Sequence, residues 1–239
     1  MSAALTSPLQ RAWLQSGGGR FDLLVAGAAL LLLLAWDVSG LDLATARLFG
    51  SADGFAWRDR FLTSRVMHDG GRWLGFAVLA LMVVNVWRPL WPGLSRRQRL
   101  IGLGSTVLCL LAIPALKQFS PTSCPWDLSE FGGVAQHVSH WRLGVPDGGP
   151  GRCFPSGHAI AAFAFFGGYF MLRQRHPRAA ALWLVAVLLL GAAFGIAQLA
   201  RGAHYPSHTL WSGWLCWVLC ALCARFAGSD RRATAAPAR

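Results

Sequence analysis

An all-α fold, a polytopic bundle of six membrane-spanning helices, is what the sequence predicts, on three observations. Hydrophobic residues make up 54% of the chain against 13% charged, too apolar for a soluble domain. They fall into blocks near the roughly 17–25 residues that cross a bilayer. The basic residues between the blocks lie mostly on one side.

The first block, 22–38, ends at Trp36-Asp37-Val38, which offers no small-x-small cleavage site. It therefore reads as a retained span rather than a removed leader. The second, 73–87, follows His68-Asp69, and the third, 100–116, runs into Lys117. The fourth, 157–172, is short and contains Gly167-Gly168, a pair that permits close helix contact. The fifth and sixth are 179–197 and 207–226. One membrane domain is expected over 1–228, followed by an Ala/Arg-rich tail, 229–239, whose composition favours disorder. Most of the 12 tryptophans fall near the expected span ends, as belt residues do.

A net charge of +12 suggests nucleic acid at first sight, but its distribution excludes that reading. The N-terminus, the 88–99 and 173–178 loops and the tail hold 13 arginines against Asp22 and Asp230, whereas the opposite loops hold nine Lys/Arg against eight acids. That asymmetry places both termini in the cytoplasm, and attraction to anionic headgroups accounts for the basic side. The expected location is the cytoplasmic membrane, the inner membrane of a Gram-negative envelope, and no nucleic-acid partner is implied.

Two polar clusters open apolar helices on the other side. Phe154-Pro155-Ser156-Gly157-His158 precedes the fourth block, and Arg201-Gly202-Ala203-His204-Tyr205-Pro206-Ser207-His208 precedes the sixth. Helix N-termini present free N–H groups and a positive dipole end, which suits a phosphate. Phosphoryl transfer needs cationic and N–H donors around the equatorial oxygens, an in-line nucleophile and an acid for the leaving oxygen. Neutral imidazole is a competent nucleophile at neutral pH.

On these residues the chain resembles the type 2 phosphatidic acid phosphatase superfamily of six-helix membrane phosphatases, which includes lipid A and undecaprenyl-diphosphate phosphatases. The family carries Lys-x6-Arg-Pro, Pro-Ser-Gly-His and Ser-Arg-x5-His-x3-Asp. Pro155-Ser156-Gly157-His158 matches the second completely. Lys117 and Cys124-Pro125 match the first with cysteine in place of arginine. In the third, His204 keeps its place, Ala197-Gln198 replace Ser-Arg, and His208 replaces Asp.

The resemblance implies His204 as nucleophile, forming a phosphohistidine, and His158 as the acid for the leaving group. It implies that Lys117, Ser156 and the Gly157 N–H hold phosphate oxygens, without a metal or other cofactor. Arg201 and Arg152 are the candidates to replace the missing arginines, since a long planar fork reaches a phosphate from a shifted backbone position. The alternative is that both merely line an interfacial loop. For the missing Asp, His208 or Asp127 would orient His204, or His208 is simply a helix-start residue.

Weaker features remain open. His137-x-x-His140 has metal-ligand spacing but no adjoining carboxylate, and solvated loop histidines is the plainer reading. His68-Asp69 either lines the site or caps its helix. Cys109, Cys216, Cys220 and Cys223 read as free apolar residues within helices. Cys124 and Cys153 flank motifs that must converge, so they are either bridged or two free thiols. The leading function is a hydrolase acting on a lipid phosphate or diphosphate. A lipid phosphotransferase using the same intermediate and a non-catalytic lipid-phosphate binder are the alternatives, and the sequence does not identify the lipid or an oligomeric state.

The charge asymmetry predicts that a C-terminal reporter fusion behaves as cytoplasmic. A fusion active only outside the cytoplasm would reverse the orientation.

Overall fold

The computed structural model describes residues 19–142 and 144–233, with side chains as far as 225. The helices in chain order are α1 (Gly19–Val38), α2 (Leu41–Ala46), α3 (Gly71–Trp87), α4 (Arg96–Gln118), α5 (Ile160–Phe163), α6 (Phe166–Leu172), α7 (Pro177–Ala200) and α8 (Pro206–Ala233). A hairpin of β1 (Gly50–Ser51) and β2 (Gly54–Phe55) precedes a π-helical turn, Leu62–Gly70, that runs directly into α3.

Five helices are long and apolar enough to cross a membrane: Gly19–Val38, Leu62–Trp87, Arg96–Gln118, Pro177–Ala200 and Pro206–Arg225. The second is longer than expected because the π-helical turn carries His68 and Arg72 into the same rod, where charge had suggested a loop. α4 begins one turn early on a capping box, in which Gln98 N–H donates to Ser95 Oγ and Ser95 N–H donates to Gln98 Oε1. Pro177 and Pro206 open α7 and α8, where the missing N–H costs nothing. α8 continues past Gly228 to Ala233, and residues 234–239 of the expected tail lie outside the described residues.

The fourth expected block is not one helix. It breaks at Ala164–Phe165 into α5 and α6, and the Phe165 carbonyl accepts from Trp183 Nε1 at 2.7 Å. Its apolar stretch, Ile160–Leu172, spans about 20 Å at 1.5 Å per residue, short of a hydrocarbon core of about 30 Å. Every α6 residue is buried, packed between α4, α7 and α8, so this segment is lined by protein rather than lipid. The glycine pair makes that possible. A Cβ on Gly167 would sit 2.5 Å from Gly102 O, and one on Gly168 would sit 2.3 Å from the Trp183 ring.

At the basic end α1 is fastened to the end of α6 by a buried ion pair. Both terminal nitrogens of Arg173 donate to the Asp22 carboxylate, at 2.6 and 2.8 Å, and the guanidinium lies 4.6 Å from the Phe170 ring centre. Trp217 Nε1 donates to the Asp22 carbonyl from α8. At the opposite end a second apolar cluster forms a cap, with Ala46, Phe55, Leu128, Phe131, Ala135, Leu199 and Tyr205 buried together. The hairpin delivers Phe55 against Phe131, ring centres 4.9 Å apart. The long 118–154 loop is gathered around buried Asp147, whose carboxylate accepts from Ser123 N–H and Oγ and from Gly149 N–H.

Removing one partner of a buried charge pair costs about 3–5 kcal/mol, whereas removing both costs much less. Arg173→Met should therefore lower the unfolding midpoint in detergent strongly, and adding Asp22→Leu should recover most of the loss. Equal midpoints for the single and double variants would show that the pair is not what fastens α1.

Candidate active site

The three motif segments converge at the capped end of the bundle. Lys117 stands in the last turn of α4, and the chain then turns through Ser120 into the loop carrying Cys124. Cys124 is bonded to Cys153, with Cα atoms 5.1 Å apart, so the two cysteines are bridged. This ties the first-motif loop to the turn that holds Ser156, Gly157 and His158. Cys153 Sγ also lies 3.0 Å from Ala203 O and 3.4 Å from His204 Nδ1, so the bridge abuts the third motif too.

Further bonds lock the second and third motifs together. Ser156 N–H donates to His208 O at 3.0 Å, and Ser212 Oγ donates to both Ser156 O and His208 O. Ser156 Oγ accepts from Ala159 N–H at 3.4 Å, acting as a local cap. The start of α8 is capped from another helix, because Asp42 accepts from both Ser207 N–H and Ser207 Oγ. Gly202, with φ 71°, is required where Arg201 leads into His204, since a Cβ there would sit 2.3 Å from the Phe55 ring.

These segments enclose a cavity of about 440 Å³. Lys117, Gly157, His158, Gln198, Arg201 and His204 line its head, joined by His68 and Arg72 from the second rod. Gly75, Phe76, Leu79, Leu110 and Phe165 line the remainder, so the cavity runs from a cationic head to an apolar floor between α3, α4 and the α5–α6 segment. No carboxylate is among its lining residues.

His204 turns Nδ1 toward Cys153 and toward His208, whose Nδ1 is 3.5 Å away, which leaves Nε2 for the cavity. Burial holds His204 well below the ordinary histidine range, helped by neighbouring His208 and Lys117, so it is neutral at pH 7. His158 Nε2 lies 3.2 Å from the Met67 carbonyl, and its ring stacks on His68 with centres 4.6 Å apart. Burial and the adjacent His68 push His158 down to about 4. Lys117 Nζ would lie 3.7 Å from a Cβ placed on Gly157, beside the N–H groups that open the next helix.

Arg201 lines the cavity but is partly committed. Its Nε donates to Arg58 O at 2.9 Å and one terminal nitrogen to Gln198 Oε1 at 3.4 Å. Gln198 Nε2 is consequently left buried and without a partner among the described residues. It is an amide donor where the family pattern has arginine, and reading position 198 only as a lost charge overlooked it.

Two sequence candidates are placed elsewhere. Asp127 is not in the cavity lining; its carboxylate accepts from Cys124 N–H at 3.2 Å, and burial pushes it above the usual carboxylate range. Arg152 is exposed at φ 56°, its N–H donating to Ser120 O, and it too is absent from the lining. His208 is buried beside His204, with Phe154 and Tyr205 packed around its ring.

Nor is His140 a solvated loop residue. It stacks on Phe154, ring centres 4.2 Å apart, and its Nε2 is 3.3 Å from buried Asp37, near enough for charge attraction though not aligned as a hydrogen bond. Asp37 also accepts from Trp141 Nε1 and Trp211 Nε1, which pins the 118–154 loop to α1 and α8. Among the described residues the cluster with metal-ligand spacing is Cys124, Cys153 and His204. With the two sulfurs bonded to each other, it offers a single imidazole.

A cross-link closing a loop of this size is typically worth about 2–4 kcal/mol. The C124S/C153S double variant should lower the unfolding midpoint accordingly and reduce turnover by loosening Lys117 relative to His204. Unchanged turnover at a lowered midpoint would confine the bridge to stability.

The PAP2 superfamily model matches residues 99–232, which takes in all three motif segments and the helices that carry them. No curated protein and no solved structure matches the chain significantly. Members of the matched family are phosphatases, so the apolar helices and the histidine-lined cavity fit a membrane-embedded phosphoester hydrolase. On this match, and with Lys117, Pro155-Ser156-Gly157-His158 and His204 assembled around one cavity, the chain belongs to the PAP2 superfamily.

Proposed function

We propose that this protein is an integral membrane phosphatase of six spans, α5–α6 supplying the sixth, that hydrolyses a lipid phosphate or diphosphate through a phosphohistidine. The observation that carries the reading is the cavity itself. A head of histidines and cations continues without a break into an apolar floor at membrane depth, which suits a phosphate joined to a hydrocarbon chain. Leu79 and Leu110 lie about 10 Å further into the bundle than Arg72 and Lys117, two helical turns along α3 and α4.

In the reaction, His204 Nε2 attacks phosphorus as the bond to the leaving oxygen breaks, and His158 gives that oxygen a proton. Water then attacks phosphorus as neutral His158 accepts its proton, the phosphorus–nitrogen bond breaks with its electron pair returning to His204 Nε2, and inorganic phosphate is released. Lys117, Arg201, the Gly157 N–H and Gln198 Nε2 hold the equatorial oxygens. His208 and the bridge fix the His204 ring. Asp127 shapes the loop and Arg152 stays at its surface, so neither takes part in transfer. The site faces away from the cytoplasm and both termini lie inside on this reading, which the charge asymmetry supports.

A short-chain lipid phosphate tests this. His204→Ala should abolish phosphate release and remove the acid-labile phosphoenzyme seen on rapid quenching. His158→Ala should keep binding while slowing leaving-group departure, a loss typically about 10²–10⁴-fold. A phosphoenzyme persisting in His204→Ala would place the nucleophile elsewhere.

The low pKa of His158 has a direct consequence. Burial and the adjacent His68 hold it neutral at pH 7, its value pushed down to about 4. A phosphate dianion beside it favours imidazolium and raises the value, so binding should take up a proton. Calorimetry of phosphate binding near pH 7, in buffers of different ionisation enthalpy, should report net uptake that disappears in His158→Gln. Equal uptake in the variant would deny His158 the acid role.

A further inference from the structure

We propose that Arg72 is a phosphate-binding residue of this site, supplied by the second transmembrane rod in place of the arginine that the family pattern puts at position 124. The proposal rests on the phosphatase reading for its substrate but not for its ligand, since inorganic phosphate suffices to test it.

Two arginines of the pattern are absent, at Cys124 and Gln198, and two arginines line the cavity, Arg201 and Arg72. Arg201 spends two of its donors on the Arg58 carbonyl and the Gln198 amide oxygen. Arg72 is exposed and has no hydrogen bond or ion pair among the described residues. No carboxylate lines the cavity to neutralise it. A guanidinium lining a cavity that already holds Lys117 is repelled by its neighbour unless an anion binds between them. Arg72, Lys117 and Arg201 line one cavity with no carboxylate among its lining residues, a setting that suits an anion.

The backbone explains how a residue so far from the motifs arrives there. The π-helical turn Leu62–Gly70 carries the polar sequence into the same rod as α3, and such bulges are often found at functional sites. Residue 71 must be glycine for the wall to close. A Cβ there would lie 2.9 Å from the Phe194 ring and 3.4 Å from His158 Nε2, so Arg72 begins immediately beside the acid. His68, one turn earlier, stacks on that same histidine and is itself held by Asp69 through Nδ1 at 3.0 Å. The turn thus positions His158 through Met67 and His68 and contributes its next side chain to the phosphate. Position 124 is free to hold the bridging cysteine because Arg72 brings a charge to the same cavity from another segment.

The test uses the purified full-length protein in detergent, with two readouts: calorimetric affinity for inorganic phosphate, and kcat/KM on a short-chain lipid phosphate. Arg72→Ala should weaken phosphate binding and lower kcat/KM by about 100-fold, the scale of losing one donor at developing charge. Arg72→Lys should recover only part of this, lacking the planar fork. Restoring the family arginine as Gln198→Arg in the Arg72→Ala background should regain at least about tenfold, since one charge returns to the same oxygens. Arg72→Gln, similar in length and polarity, serves if the alanine variant does not fold.

Phosphate affinity and kcat/KM both within about twofold of wild type in Arg72→Ala or Arg72→Gln would overturn the proposal and leave Arg72 facing lipid headgroups. Wild-type protein inert toward every lipid phosphate, with phosphate affinity still dependent on Arg72, would remove the hydrolase reading and keep this assignment.

Discussion

The bond between Cys124 and Cys153 holds the site together. It joins the loop after Lys117 to the turn before Ser156, and its sulfur lies 3.4 Å from His204 Nδ1. Three segments from distant parts of the chain therefore meet around one covalent link. The apolar cap over it, with Phe55, Phe131 and Tyr205, and the Asp147 cluster beneath the long loop keep that link inside a packed layer. The contacts between Ser156, His208 and Ser212 then set the second and third motifs in one register. At position 124, where the family pattern has arginine, this chain has a cysteine that cross-links the loop after Lys117 to the turn before Ser156.

The electrostatics follow from that packing. Burial keeps His204 neutral, as the proposed nucleophile needs to be, and keeps His158 neutral at pH 7 as well. The permanent charges lie around them on Lys117, Arg201 and Arg72, which belong to three different segments of the lining. Deep burial of permanent cations would be costly, whereas an imidazole can shed its charge and stay. The division of labour between buried histidines and less enclosed cations is therefore what the low-polarity setting favours.

Much of this was legible in the sequence, and the limits have physical causes. Five of the six expected spans and the glycine pair in the fourth block followed from the apolar blocks, and the meeting of Lys117, His158 and His204 followed from the motifs of the family that the chain resembles. The split at Ala164–Phe165 was not readable, because burial by protein on all sides removes the length requirement that lipid imposes. Arg72 and His68 were missed as part of a helix because charge near a span end reads as loop, and a π-helical turn has no compositional signature. Gln198 looked like a loss because its value depends on Arg201 holding its oxygen and leaving the amide nitrogen free. The surroundings of Asp127 and His140 were not readable for one reason: their partners, Cys124 N–H and Asp37, are contacts that only the folded loop creates.

The central claim is that transfer goes through His204 in two displacements. A substrate made chiral at phosphorus with sulfur and oxygen isotopes, hydrolysed in isotopically labelled water, tests this most directly. Each in-line displacement inverts phosphorus, so two displacements return the thiophosphate with retained configuration. Net inversion would mean that water attacks the substrate directly, and that His204 activates or orients it rather than carrying the phosphoryl group.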